Sequence, residues 1–279
     1  MNPRKTLLAA LDDLGIRRFR LMGPWDLIQP TPTAYDFADL DWQIAQIAKR
    51  DGEVSVTLGL RQPHHPECHQ PAWARKRSSA EWQEALFAFI TTVVNRYKDQ
   101  AVVVSWQLEN EALNKDFGQC ADFNQERLEA ELQLVKRLDP SRPVIMSLKN
   151  HWSFLAPGPI PDVYATSIYL CVHRKGKLRD TILPPLYQRV RALYIRLQFN
   201  RSFFIHELQA EPWCPRGTQH TPLAEQDLSM NPKRFRHAVA YALRTGLKPI
   251  DLWGLEWWYY RKTRFDDPTM WDEARTVFK

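Results

Sequence analysis

Glu111 closes the stretch VVVSWQLENE, residues 102–111, and Glu207 sits inside SFFIHELQAEPW, residues 202–213. Each stretch reads as a buried β-strand that delivers a carboxylate at its C-terminal end. Two carboxyl groups suit hydrolysis of an acetal. One, protonated, gives its proton to the leaving oxygen while the other, ionised, attacks carbon. For a glycosidic bond broken with retention, the two must stand about 5 Å apart. Asn110 adds an amide able to bind a sugar 2-hydroxyl as charge develops in the transition state. Three neighbours compete. Glu109 counts as one step out of register and is expected to point elsewhere if Glu111 points inward. Glu211 lies in the loop beyond its strand, and His206, of alternate parity to Glu207, reads as structural.

Positioning these groups falls to seven expected strands, at about residues 16–22, 54–60, 102–108, 144–148, 163–170, 202–208 and 250–257. Helical patterns lie before and between them. Leu7, Leu8, Leu11 and Leu14 repeat at helical spacing ahead of Gly15, and Ser79 reads as the cap of a helix carrying Trp82, Leu86, Phe89, Ile90, Val93 and Tyr97. Leu128, Leu132, Val135 and Leu138 mark another helix. Leu186, Val190, Leu193 and Tyr194 share one side of a segment after Pro185, and Pro232 and Gly246 bracket a further helix. Strands alternating with helices mean a parallel sheet with helices outside, in a barrel or a doubly wound arrangement. Polar and aromatic residues gather after the strands, which favours a (β/α)8 TIM barrel spanning residues 1–279 as one domain. Because the chain opens with a helix, the barrel's first β-strand is unaccounted for.

The chain has 279 residues, 44% apolar and 25% charged, ordinary for a globular protein and enough for one barrel of about 250 residues. Its net charge of +6 comes from dispersed basic residues without a recognised nucleic-acid motif, so no nucleic-acid partner is expected. No apolar run is long enough to span a membrane. Residues 1–15 lack the apolar core of a secretory signal, which leaves localisation open: cytoplasmic by default, exported if the N-terminus is trimmed. Cys68, Cys120, Cys171 and Cys214 are scattered and read as free thiols, with two disulfides as the open alternative. Trp is the outlier at eleven residues; many are expected in the core, and a surplus near strand ends suits stacking on sugar faces.

The paired stretches resemble clan A of the glycoside hydrolases, retaining β-glycosidases with Asn-Glu after the fourth barrel strand and Glu after the seventh. Strand order agrees when the first strand seen here is counted as the second. The resemblance implies Glu111 as acid/base, Glu207 as nucleophile and Asn110 as the 2-hydroxyl ligand. FRLMGPW resembles the clan's second-strand pattern, which points to Arg20, with Trp25 as its aromatic, as the cation that keeps Glu207 ionised. SIYL offers Tyr169 at a position where the clan often bonds a Tyr to the nucleophile. WGLEWWYY offers Trp253, Trp257 and Trp258 as the floor of the sugar site, with Trp257 preferred. Glu256, read as part of the last strand, either reaches the site or pairs with an Arg.

Blander readings stand beside these. Glu111 could belong to a polar loop, Glu207 could be a salt-bridged strand end, Arg17 and Arg18 compete with Arg20, and Tyr169 could be plain core. The loop RQPHHPECHQPAW holds His64, His65, Cys68 and His69, but its spacing fits no standard zinc pattern. Arg61, His64, His69 and Trp73 are expected to border the substrate instead. The expectation is therefore a retaining glycosidase acting on oligosaccharide or polysaccharide, without cofactor or metal and with oligomeric state open. A catalytically degenerate carbohydrate-binding barrel is the alternative.

Overall fold

The structure, a computed structural model, describes residues 2–116, 118–148 and 152–278. In chain order the first elements are α1 (Pro3–Asp12), β1 (Arg18–Met22), α2 (Trp25–Ile28), α3 (Ala38–Ala48), β2 (Glu53–Leu58), α4 (Ser79–Tyr97), β3 (Val103–Leu108), α5 (Gln125–Leu138) and β4 (Val144–Ser147). Then come β5 (Val163–Ile168), β6 (Cys171–Arg174), β7 (Lys177–Asp180), α6 (Pro185–Phe199), β8 (Ser202–Gln209), α7 (Leu223–Ser229), α8 (Pro232–Thr245), β9 (Ile250–Trp253), α9 (Leu255–Arg264) and α10 (Thr269–Phe278). All seven expected strands are present, and among the described residues none precedes β1. The chain divides into two compact units, Arg17–Tyr164 and Met1–Ile16 with Ala165–Lys279.

In the unit Arg17–Tyr164, β1, β2, β3 and β4 are neighbours in that order and pair in parallel. Parallel strands covered on both faces usually read as unbroken apolar runs. Here they alternate. Val56, Leu58, Trp106 and Leu108 form a dry face, and the Trp106 indole reaches the C-cap of α5 by donating to Asp139 Oδ2 at 2.9 Å. The opposite face carries Arg20, Ser55, Thr57, Ser105 and Gln107, with Gln107 Oε1 accepting from both Arg20 and Thr57 at 3.4 Å. Helix α4 lays Leu86, Phe89, Ile90, Val93 and Val94 into the core. Its cap is Ser78, one residue earlier than expected, because Ser78 and Glu81 form a reciprocal capping box.

The other unit places β8 between β5 and β9, with β8 and β9 parallel. Strands β6 and β7 form an antiparallel hairpin that the sequence reading missed, turned at Lys175 and Gly176, both at positive φ. Asn231 caps α8, Pro232 opens it and Gly246, at φ +74, ends it. The last strand is shorter than expected. Gly254 stops it at φ +155, where an added Cβ would stand 2.5 Å from the Ala210 carbonyl oxygen, and LEWWYY then begins a helix rather than extending β9. A second difference concerns α6. Leu186, Val190, Leu193 and Leu197 face outward, whereas Gln188, Arg191 and Ile195 are buried, with Arg191 donating to Thr166 and Gln188. The apolar side of this helix is its exposed side.

Candidate active site

On the Arg17–Tyr164 side, the site grows from the end of β3. In a regular strand residues two apart share a face, so parity alone would send Glu109 and Glu111 the same way. The expected separation of the two does occur, but for another reason. Glu109 and Glu111 both take left-handed φ, +46 and +44, which breaks the alternation on either side of Asn110. Glu109 turns toward α5, where its Oε1 accepts from Arg127 at 2.7 Å and from the Leu60 amide at 2.9 Å. Asn110 turns the other way and accepts from Gln107 Nε2 at 3.3 Å, joining the polar face that carries Arg20. Glu111 is anchored by its backbone N–H, which donates to Ser147 Oγ at the end of β4, 2.7 Å away. Its Oε2 accepts from Asn114 Nδ2 at 2.6 Å.

A tied loop surrounds this turn. Arg61 is wholly buried; it pairs with Glu67 and donates to the carbonyls of Asn110 and Asn114, each at 3.1 Å. Cys68 and Cys120 form a disulfide, with Cα atoms 4.8 Å apart. The free-thiol reading therefore fails for this pair, because the fold brings the loops after β2 and β3 together; Cys171 and Cys214 are not bridged. His64 is exposed at φ +81, whereas His69 is buried with Nδ1 at 2.9 Å from Asp26 Oδ1. Arg61 and His69 thus brace the loop from inside instead of bordering a ligand. Trp25 is likewise internal, stacked on Phe89 and edge-on to Trp73.

In the other unit Glu207 lies in β8, nearly buried, and the Tyr169 hydroxyl, just past β5, donates to its Oε1 at 2.5 Å. Tyr169 also meets the Trp213 ring edge-on at 5.4 Å. Beyond β8, Glu211 accepts from Trp253 Nε1 at 2.9 Å. Burial pushes the Glu211 carboxyl up to about 8; the charge of Glu256 adds to this, the Trp253 hydrogen bond opposes it, and Glu207 adds a lesser push. Glu256 is exposed in the first turn of α9, not in a strand. The preference for Trp257 does not hold. Its ring is buried and its Nε1 donates to Gln226 on α7 at 2.6 Å, while Trp258 is buried with its Nε1 on the Ala210 carbonyl. Trp253 and Trp213, both partly exposed, are the indoles left beside the Glu207 end of β8.

Asn114, Ser147 and Trp213 were missed by sequence reasoning. Asn114 carries a faint local signal, since it stands three residues after Glu111 in ENEALN, the spacing of one turn. Ser147 had none, being paired with Glu111 only by the sheet. Among the described residues, no group of three His, Cys, Asp or Glu side chains is placed to hold a metal ion. No described helix is long and apolar enough to cross a membrane.

Comparison with known proteins agrees with this architecture. Residues 42–179 match the family model described as glycosyl hydrolases family 2, TIM barrel domain. No curated protein matches the sequence. Among solved structures, β-galactosidase from the psychrophilic Marinomonas ef1 superposes with a TM-score of 0.64 at 14% identity, over 100% of this chain and 57% of that one. An exo-β-1,4-mannosidase from Opitutaceae bacterium strain TAV5 gives 0.61 at 15%, over 90% and 48%. The β-galactosidase from the haloarchaeon Halorubrum lacusprofundi gives 0.59 at 15%, over 89% and 50%. The chain thus spans about half the length of these structures. At such identities the likeness is one of fold: the chain has the TIM-barrel fold that these glycoside hydrolases share.

Proposed function

We propose that the chain is a retaining glycoside hydrolase acting on β-linked glycosides or glycans. The reading is carried by one observation, the Tyr169 hydroxyl bonded to the carboxylate of Glu207 at the end of a parallel strand. The Asn110–Glu111 turn at the end of β3 supports it from the other unit. In this mechanism Glu207 attacks the anomeric carbon as Glu111 protonates the leaving oxygen, and a glycosyl ester forms. Glu111 then takes a proton from water, whose oxygen displaces Glu207. Asn110 serves the sugar 2-hydroxyl, Arg20 supplies positive charge on the polar strand face, and no cofactor is needed. An oligosaccharide or polysaccharide is the substrate.

The test is hydrolysis of a panel of aryl β-glycosides and β-glucans by the chain, by Glu207→Ala and by Glu111→Ala. Loss in both variants, with azide rescuing Glu207→Ala as a glycosyl azide of inverted configuration, is the expected result. Undiminished activity in Glu207→Ala would sink the mechanism.

A further inference from the structure

Asn114 has every polar group engaged. Its N–H donates to the Glu111 carbonyl at 2.8 Å, and its own carbonyl accepts from Arg61 at 3.1 Å. The side-chain Oδ1 accepts from the Asp116 amide at 3.1 Å, which fixes the sense of the amide and aims Nδ2 at Glu111 Oε2, 2.6 Å away. Asn114 is itself buried, so this contact is shielded from water. Arg61, which holds Asn114, is held in turn by Glu67, and the Cys68–Cys120 disulfide ties the strand of chain carrying Glu67 to the loop beyond Asn114.

We propose that Asn114 is the positioning residue for the acid/base carboxyl of Glu111, an inference that rests on the glycosidase reading above. An oxygen already accepting a short amide N–H bond is the poorer seat for a proton, so Asn114 keeps the transferable proton off Oε2. Asn114 thereby decides which oxygen faces the leaving group, and Arg61 with the disulfide keeps that choice fixed. When Glu111 gives up its proton, the same N–H remains on Oε2 and the carboxylate does not rotate before it must accept a proton from water.

The experiment compares Asn114→Ala with the unaltered chain on two aryl glycosides of one sugar. A phenyl glycoside needs protonation to leave, whereas a 2,4-dinitrophenyl glycoside does not. Loss of one hydrogen bond to a charged group predicts a fall in kcat of about 10- to 100-fold for the phenyl glycoside. Glycosylation of the dinitrophenyl glycoside, read from the burst or from kcat/KM, stays within about threefold by the same reasoning. Equal losses on both substrates, or none on either, would overturn the proposal. A second readout needs no turnover. The side-chain amide resonances of Asn114, identified by their absence in Asn114→Ala, should move when Glu111→Gln is introduced. If they stay put, the inference fails even in an active enzyme. A chain silent on every glycoside yet showing that movement would remove the glycosidase reading and leave the Asn114–Glu111 coupling standing.

Discussion

Arg127→Met tests what holds Glu109, the first acid of the ENE turn, on the helix side. Arg127 is fully buried on α5, where it pairs with Glu109 at 2.7 Å, with Asp122 at 2.5 Å and with Glu131 one turn on. Its guanidinium also lies over the Trp82 ring, 5.8 Å from the centroid. Met fills most of the volume but leaves the two buried carboxylates, Glu109 and Glu131, without their shared cation. Breaking a buried pair in this way costs about 3–5 kcal/mol. The cost depends on pH. Desolvation, with a push from Glu109, outweighs the pull of Arg127 and leaves Glu131 raised to about 8. Between about 4.5 and 8 the folded chain therefore keeps a proton that the unfolded chain releases, and stability falls as pH rises through that window. Without Arg127 the upward push grows, so the variant's deficit should be largest near pH 8 and smaller near pH 5. Urea unfolding followed by Trp fluorescence at the two pH values measures both. An unchanged midpoint at pH 8, or a deficit equal at both, would refute the reasoning. Adding Glu109→Gln and Glu131→Leu to Arg127→Met should restore much of the loss, since an apolar replacement of a whole ion cluster is often near neutral.

Tyr169→Phe removes the donor to Glu207 without emptying its volume; we expect kcat/KM to fall about 10- to 100-fold on any glycoside the chain cleaves, with the unfolding midpoint nearly unchanged. The Cys68–Cys120 bridge closes a separation of 52 residues, so reduction by dithiothreitol should lower stability by about 2–4 kcal/mol, read as a shifted urea midpoint. Leu193→Lys on the exposed side of α6 should leave stability within about 0.5 kcal/mol, whereas Leu132→Ala in the α5 core should cost about 2–5 kcal/mol. A large loss for Leu193→Lys would show that its outward side is covered.

What was legible in the sequence was what repeats. Period-two and period-3.6 patterns set seven strands and most helices within a few residues, because those patterns report burial directly. Failures came where composition and burial part company. The α6 side bearing Leu186, Val190 and Leu193 looks like a core face, yet the unit buries Gln188 and Arg191 beneath it, satisfied by Thr166. The aromatic run after Trp253 looks like strand, but the close approach of Gly254 to Ala210 ends β9 there, and Trp257 goes to the α7 contact. Neither fact has a local signature, for both depend on what lies across the packing. The Cys68–Cys120 pairing has the same origin, since cysteine spacing says nothing about which loops a sheet brings together.

The ENE turn shows why a short motif can carry more than its letters. Period-two parity cannot distinguish Glu109 from Glu111, and a search for Asn-Glu does not explain why the preceding acid does no harm. The backbone does both. Left-handed conformations at two successive acids cost free energy that a β-region residue would not incur. Here each strained residue is held by several contacts: Glu109 by Arg127 and the Leu60 amide, Glu111 by Ser147 and Asn114. One acid is thereby committed to an ion cluster on the helix side, while the other has its backbone N–H on Ser147 Oγ and its Oε2 on the Asn114 side-chain amide. The turn between them gives two acids of the same strand parity different partners, which a count of residues along the strand does not supply.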